Sequence, residues 1–212
     1  MSNNALVLFS GGLDSTTCLF YALSKYDKVY TIGFDYGQKH KVELECRHNI
    51  LSLIKDDKFI ADKLVDVNSF GSLAIDQSDP FVPGRNLVFL TYASAYAYLN
   101  NCSTIIMGVC ETDYSCFPDC RRSTMTAMES ALSLGLDTPI KIETPLMYLT
   151  KAQTWELAER LGGTELIDFI VKATHTCYNG DHTHLHSWGY GCGKCVACEL
   201  RAKGFIEYKN RK

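Results

Sequence analysis

Short apolar segments alternate with longer segments of helical periodicity along most of the chain. The apolar segments predict five strands, at residues 5–9, 28–34, 59–67, 104–108 and 140–143. The helical periodicity predicts helices at residues 18–23, 41–54, 87–99, 123–134 and 152–161. Because such alternation is typical of parallel sheets, it predicts an α/β fold with a five-stranded, mostly parallel sheet and helices on both faces. We expect the third strand at an edge and the fourth beside the first.

Composition limits the class of protein. The 212 residues are long for one small core and short for two, so we expect one α/β domain with an appendage. The net charge of −3, with both signs interspersed, argues against a nucleic-acid partner and favours a small-molecule substrate. No apolar run approaches the roughly eighteen residues of a membrane span, and the N-terminus lacks a signal-peptide pattern. We therefore expect a cytoplasmic protein without membrane contact.

A glycine turn follows the first predicted strand. It reads Ser10-Gly11-Gly12-Leu13-Asp14-Ser15 and precedes the first predicted helix. Glycines allow a tight turn, and the free amides at the start of a helix attract anions, so the junction predicts a phosphate site. The turn has no Gly-Lys-Ser/Thr sequence, which excludes the lysine P-loop. It instead resembles the PP-loop of ATP pyrophosphatases, which split ATP between its α and β phosphates.

Polar residues at the ends of other strands predict more of this site, because ligands of open parallel sheets bind beyond the carboxyl ends of the strands. Asp35 to His40 follow the second strand and should lie near the nucleotide. Arg85 and Asn86 begin the third helix, where Arg85 offers a planar fork to a phosphate or carboxylate. Asn86 could alternatively be a structural cap. Lys151 begins a later helix and could either neutralise phosphate charge or lie in water.

A loop rich in charge and cysteine follows the fourth strand, at residues 109–122. Its acids could hold Mg²⁺ against phosphates or accept hydrogen bonds from an amine-bearing heterocycle. The residues that suggest this chemistry are Glu111, Asp113, Asp119 and Arg121, with Cys110, Cys116 and Cys120.

Four cysteines near the C-terminus follow a metal-ligand spacing, Cys-x14-Cys-x2-Cys-x2-Cys, at Cys177, Cys192, Cys195 and Cys198. Four thiolates favour a closed, structural zinc site, with an iron-sulfur cluster as the main alternative. Three alternating histidines between them would share one face of an extended strand and suggest a second metal site. The competing interpretation is an exposed polar loop containing His182, His184 and His186.

Seven separated motifs together resemble the QueC family of 7-cyano-7-deazaguanine synthases. They are Ser-Gly-Gly-Leu-Asp-Ser at 10–15, Phe-Asp-Tyr-Gly-Gln at 34–38, Val-Pro-Gly-Arg-Asn at 82–86, Pro-Asp-Cys-Arg at 118–121, Thr-Pro-Leu at 144–146, Lys151 and the four cysteines. The resemblance implies a Rossmann-like fold of the adenine nucleotide alpha hydrolase type. It also implies a homodimer with one zinc per chain that converts 7-carboxy-7-deazaguanine and ammonia to the nitrile, using ATP and Mg²⁺.

Residue roles follow from the matching motifs. The resemblance implies catalytic roles for Asp14, Ser15, Arg85 and Lys151. The resemblance also implies that the nucleotide is bound by Ser10, Gly11, Gly12, Leu13, Asp14, Ser15 and Asp35. The substrate pocket is expected to contain Tyr36, Gln38, Arg85, Asn86, Glu111, Asp113, Asp119 and Arg121. We expect a nucleotide-binding domain at residues 1–165 and a zinc-binding segment at 166–212.

Three departures from the family pattern leave other functions open. Cys116 and Phe117 stand where the family has glycine and tyrosine, the polar stretch before Phe81 is short, and residues 181–190 are extended. One alternative is a QueC-like ligase that joins the activated acid to another amine, including one on a protein, as in anti-phage defence. A second is a tRNA thiolase that uses the cysteines of the 109–122 loop. A third is a zinc-bearing module that binds nucleotide without turnover.

Overall fold

Five parallel strands form the central sheet of the computed structural model, which describes residues 3–73, 81–111 and 117–211. The strands are β1 (Asn4–Leu8), β2 (Lys28–Asp35), β3 (Phe59–Asp66), β4 (Thr104–Ile106) and β5 (Lys141–Glu143). Their order is β3-β2-β1-β4-β5. This order confirms the α/β prediction, the edge position of β3 and the pairing of β4 with β1.

Helices cover both faces of the sheet. They are α1 (Leu13–Lys25), α2 (Val42–Leu53), α3 (Arg85–Leu99), α4 (Arg122–Leu136), α5 (Lys151–Ala173) and α6 (Val196–Asn210). Two short 3-10 turns, at Asn68–Leu73 and Pro118–Cys120, lie in connections that the sequence predicted as loops.

The two faces have separate apolar clusters. On one face, Leu90 of α3 and Met125 of α4 pack against strand residues such as Leu6. On the other, Leu19 of α1 and Ile50 of α2 pack against the opposite side of the strands. Every residue of β1 is buried, as expected for the central strand of a doubly covered sheet. This burial fixes the position of the loop that follows β1.

The C-terminal part of the chain packs against α1 and α5 through a third apolar cluster that includes Trp155 and Phe205. The predicted helix at 152–161 extends to Ala173, with a break at Gly162 and Gly163, where the backbone is not helical. A two-stranded hairpin, β6 (Leu185–His186) and β7 (Gly189–Tyr190), precedes α6. The proposed domain boundary after residue 165 falls within α5 and stays a prediction.

Candidate active site

The glycine loop connects β1 to α1. Gly11 has a φ of 98°, and a Cβ on it would lie 2.7 Å from the backbone nitrogen of Arg47. Only glycine fits this close approach of α2. The Ser15 hydroxyl accepts hydrogen bonds from the amides of Ser10 and Gly11, at 3.3 and 3.2 Å, and donates to the Gly12 carbonyl at 3.2 Å. The α1 N-terminus has no side-chain cap, so its first amides are available to an anion.

A cavity of about 810 Å³ opens beside this loop, beyond the carboxyl ends of the strands. Its volume is in the range of ordinary ligand sites. Many of the residues predicted to bind nucleotide or substrate line it, namely Ser10, Gly12, Leu13, Asp14, Ser15, Tyr36, Gln38, Arg85 and Asn86. The structure therefore brings together residues from three separated motifs.

A nearly buried ion pair joins the loop to α5. The Lys151 ammonium lies 3.0 and 2.9 Å from the two carboxylate oxygens of Asp14, and the Lys151 side chain is 9% exposed. The capping box of Thr150 and Gln153 fixes the start of α5 at this lysine. Close packing of α6 supports it from the other side, since a Cβ on Gly204 would lie 2.6 Å from the Lys151 Cβ.

Arg85 faces the cavity from the start of α3. Its guanidinium carbon lies 5.5 Å from the centre of the Tyr36 ring, and its Nη1 donates to the Tyr36 hydroxyl at 3.4 Å. Burial opposes the charge, but nearby Tyr36, Glu43 and Asp119 outweigh it and raise the pKa of Arg85 above its usual value. Arg85 is therefore a charged guanidinium in the cavity wall.

Asn86 links the third helix to the Pro118–Cys120 turn instead of capping α3, whose N-cap is Gly84. Its backbone amide donates to Asp119 at 3.1 Å, and its side-chain amide donates to the Cys120 sulfur at 3.3 Å. The structural-cap interpretation of Asn86 is wrong. Its side chain is turned toward the cavity wall, where Cys120 also lies.

Several predicted site residues are not among the described residues that line the cavity. The Asp35 carboxylate accepts from the Gly37 amide at 3.2 Å and pairs with Lys41. Glu111 accepts from the Arg122 amide, and Arg121 is the exposed N-cap residue of α4. Asp119 is buried behind Asn86. Their predicted roles stay predictions, and Asp113 and Cys116 lie outside the described residues.

Sequence reasoning missed three residues at this site, Glu43, Arg47 and His175. All three line the cavity, and Arg47 also anchors α2 to the sheet. The Arg47 side chain donates to the Phe9 carbonyl at 2.9 Å and pairs with Asp62. The sequence did not indicate that Glu43 and Arg47 lie at the site. Both belong to α2, and only the packing of that helix on Gly11 brings them to the loop.

His175 belongs to the segment that joins α5 to the cysteine cluster. Its backbone amide donates to the Gly11 carbonyl at 3.2 Å, and its ring contacts the Cys177 carbonyl at 3.0 Å. Burial lowers the pKa of His175 to about 4, so the ring is neutral and its Nε2 donates to that carbonyl. The C-terminal segment therefore touches the glycine loop directly.

The four predicted cysteines come together. One ligand atom from each of Cys177, Cys192, Cys195 and Cys198 lies within 4.8 Å of the others. The sulfurs of Cys177 and Cys195 are 3.9 Å apart, and those of Cys192 and Cys198 are 4.0 Å apart. Both distances are close to the roughly 3.8 Å that a tetrahedron with Zn–S bonds of about 2.3 Å requires. Backbone hydrogen bonds, led by that of Lys194, lower the pKa of Cys192 to about 6 and favour its thiolate. The cluster can hold a metal ion.

The alternating histidines do not share one face, because only residues 185–186 of this segment are a strand. His182 lies against Tyr190 and His175, His184 pairs with Asp181 in solvent, and His186 stacks on Trp188. Within the described ranges, these histidines join no group of metal-ligating atoms. The hypothesis of a second metal site is wrong.

Arg201 of α6 holds the segment between the cysteine cluster and the glycine loop. It is 1% exposed and donates to the Trp188 carbonyl, the Thr176 hydroxyl and the Thr174 hydroxyl at 2.8, 2.7 and 2.9 Å. These acceptors lie on both sides of His175. A single buried cation therefore fixes the backbone that contacts Gly11 and Gly12.

The family profile described as "Queuosine biosynthesis protein QueC" matches residues 4–209. The chain belongs to the QueC family. A 7-cyano-7-deazaguanine synthase of Polaromonas naphthalenivorans is 53% identical, over 97% of this chain and 94% of that protein. A protein of the same name from Caulobacter vibrioides is 49% identical, over 96% of this chain and 93% of its own.

Solved structures extend the likeness at the level of the fold. NMN synthetase from Francisella tularensis aligns with a TM-score of 0.53 at 15% identity, covering 100% of this chain and 87% of that one. Within the described parts of this QueC-family chain, no helix has the length and apolarity of a membrane span.

Proposed function

We propose that this protein converts 7-carboxy-7-deazaguanine and ammonia to 7-cyano-7-deazaguanine at the expense of ATP. The observation that carries the proposal is near end-to-end identity of about half with synthases of that name, 53% in one case. The cavity beside the glycine loop supports it, since its lining combines an anion-binding loop with Arg85 and Asn86. The reaction is one step in making a queuosine precursor.

A carboxylate resists attack by an amine, so the acid must first be activated. Its oxygen attacks the α phosphate of ATP and pyrophosphate leaves, which gives an acyl adenylate. Ammonia then displaces AMP to form the amide. A second adenylation, on the amide oxygen, followed by loss of a proton and AMP, gives the nitrile. Each step needs positioning and charge stabilisation more than a protein nucleophile.

Loop amides and cations supply this stabilisation in our proposal. The Ser10–Ser15 loop and the α1 N-terminus hold the pyrophosphate, with Asp14 and Ser15 acting at the phosphates. Lys151 positions Asp14 through their ion pair at 2.9 Å, and Arg85 screens the charge of phosphate or carboxylate. Bound Mg²⁺ would neutralise phosphate charge, and the Asp14 carboxylate in the cavity wall is a suitable hard ligand.

We place recognition of the deazaguanine at the Asn86 and Asp119 side of the cavity. An acid there would favour a guanine-like edge, because a mismatched edge leaves buried polar groups unpaired. Glu111, Asp113 and Arg121 are proposed to complete the pocket when substrate is bound. Tyr36 and Gln38 are proposed to border it from the end of β2.

Asp119→Asn should weaken binding of the deazaguanine by about tenfold or more while ATP binding stays near normal, since one charge-assisted hydrogen bond is lost. Isothermal titration calorimetry with each ligand separately measures this difference. Asp137→Asn, at the exposed end of α4, is a charge-matched control. Equal loss for both ligands would show that Asp119 only supports the fold.

We assign zinc to the cysteine cluster, one ion per chain. The sulfur spacing supports this assignment, and a closed four-thiolate set leaves no coordination position for chemistry. Zinc would therefore hold the C-terminal segment in place. We also propose a cytoplasmic homodimer. Exposed apolar side chains on α3 support a second copy, in particular Leu99, which is 76% exposed, with Tyr92 and Tyr98.

An altered substrate loop supports one alternative, a ligase that stops at the amide with a different amine. Phe117 stacks on Phe81 at 5.1 Å in the position where the family has a tyrosine. Mass spectrometry of products from ATP, Mg²⁺, the acid and ¹⁵N-ammonium separates the two activities. We expect labelled nitrile with AMP and pyrophosphate. Adenylate or amide as the final product would overturn the synthase assignment and favour the other amine.

A further inference from the structure

Glu43 is a carboxylate beside an anion-binding loop, where a negative charge would ordinarily be unfavourable. It lies in the first turn of α2 and lines the cavity. Burial raises the pKa of Glu43 above its usual value, although the nearby Ser10 hydroxyl and the charge of Arg85 lower it in part. Among the described residues, Glu43 forms no ion pair within salt-bridge distance. None of the residue roles proposed for the reaction involves Glu43.

Two further oxygen acceptors converge near the Glu43 carboxylate, at Gly12. The His175 carbonyl oxygen, Ser10 Oγ and Glu43 Oε1 lie 3.2, 3.6 and 3.7 Å from the position that a Cβ on Gly12 would occupy. Among the described residues, none donates a hydrogen bond to the His175 carbonyl oxygen. Ser10, Gly12, Glu43 and His175 all line the cavity, so one charged and two neutral acceptors share one corner of it. Such a corner suits a small cation that donates N–H bonds. Mg²⁺ instead requires near-octahedral oxygens at about 2.1 Å.

Ammonium is the only N–H-donating cation among the reactants, since ATP and the deazaguanine acid are anions. We propose that Glu43 binds the ammonium co-substrate and accepts its first proton at the edge of the glycine loop. This inference rests on the proposed function. Burial raises the pKa of Glu43, which improves a carboxylate as a proton acceptor. Arg85 from α3, Tyr36 after β2 and Cys46 of α2 are the titratable groups whose charges act with it.

The acyl adenylate is the species that ammonia attacks in this step. Ammonium gives one proton to Glu43, and the freed electron pair of ammonia forms the C–N bond at the acyl carbon. The bond from that carbon to the AMP oxygen breaks, and AMP leaves with its electron pair. A second proton leaves the nitrogen for solvent, and Glu43 then releases its own. The products are the amide, AMP and two protons.

The test measures the KM for total ammonium between pH 6.5 and 8.5 in the wild type, Glu43→Gln and Glu45→Gln. Glu45 is an exposed carboxylate two residues away and serves as the matched control. The wild type and the control should show a nearly constant KM. In Glu43→Gln the KM should fall roughly tenfold per pH unit, because only free ammonia can then react. Hydroxylamine, which is neutral near pH 7, should restore the variant to within about threefold of the wild type.

Substrate-dependent exchange of pyrophosphate into ATP, measured without ammonium, separates this role from ATP binding. Glu43→Gln should retain exchange within about twofold, since activation precedes the arrival of nitrogen. Loss of exchange in a folded variant, or a KM profile like that of the wild type, would overturn the proposal. If Glu43→Gln does not fold, Glu43→Asp must keep the flat profile, and a steep one contradicts the role. Absence of exchange in the wild type would instead refute the proposed function.

Discussion

The glycine loop and the C-terminal cysteine segment differ in how their polar groups are used. At the loop, the α1 amides, Arg85 and Glu43 face a cavity. In the C-terminal segment, Arg201 is fully buried and bonded to carbonyls and hydroxyls of its own region. Groups left open to a cavity are available for ligands, whereas groups saturated inside the protein determine shape. We therefore expect the first region to perform the chemistry and the second to support it.

The two regions are nevertheless joined at two points. His175 donates its backbone amide to Gly11, and Gly204 allows α6 to approach Lys151. A substitution in the C-terminal region can therefore disturb the glycine loop or Lys151 without changing a residue that lines the cavity. The predictions below separate the two regions, beginning with the largest expected effect.

Cys195→Ser should remove zinc and destabilise the protein by several kcal/mol, because metal binding contributes directly to folding. Turnover should fall as well, since the cluster holds the segment that contacts Gly11. Metal analysis, thermal melting and turnover measure the three effects. Cys102→Ser, which changes a buried cysteine in a different apolar cluster, should keep its zinc. A folded, active, metal-free Cys195→Ser protein would contradict the structural role.

Asp14→Ala should reduce ATP turnover at least about a hundredfold, a loss typical of removing one charged group from such a site. Zinc content should not change, because Asp14 lies in the glycine loop. Asp27→Ala, at an exposed position after α1, is the control. The melting temperature identifies any fold defect caused by leaving Lys151 unpaired, and unchanged turnover would remove Asp14 from the mechanism.

Gly204→Ala should lower kcat by about tenfold with zinc retained. A methyl group there would lie 2.6 Å from the Lys151 Cβ and 2.9 Å from its carbonyl carbon, so α5 and α6 must shift relative to each other. We expect this shift to disturb the pairing of Lys151 with Asp14. The matched control is Gly135→Ala in α4, where the added Cβ meets nothing within 4 Å. That control should be stabilised by about 0.5–1 kcal/mol. Equal activity of both variants would show that the contact with Lys151 does not matter.

Glu143→Gln should destabilise the protein by about 1 kcal/mol at pH 7, the usual scale for partly exposed ion pairs. Burial tends to raise the pKa of Glu143, but hydrogen bonds from Lys141 and Lys25 outweigh it and hold the pKa at about 2. The stabilisation is therefore present above pH 4.5 and is lost as the pH falls toward 2. Chemical denaturation across this range measures it, with Glu45→Gln as control. A difference that persists at pH 2 would contradict the ionic origin.

Sequence patterns predicted the five strands, the glycine loop and the grouping of the four cysteines that can hold a metal. Each of these features is local in the chain or has a recognisable spacing. Arg201 gave no signal, because its acceptors are carbonyls and hydroxyls on separate segments. Gly204 gave no signal either, because no helix was predicted around it and its approach to Lys151 depends on how α6 packs. Glu43 could be found only once the packing of α2 on Gly11 was known.

The central claim is that the cavity beside the glycine loop activates a carboxylate before nitrogen arrives. Exchange of labelled pyrophosphate into ATP tests it most directly, with Mg²⁺, with or without 7-carboxy-7-deazaguanine, and without ammonium. We predict exchange that depends on the acid and is lost in Asp14→Ala. Exchange that is absent from the wild type, or that does not depend on the acid, would contradict the account.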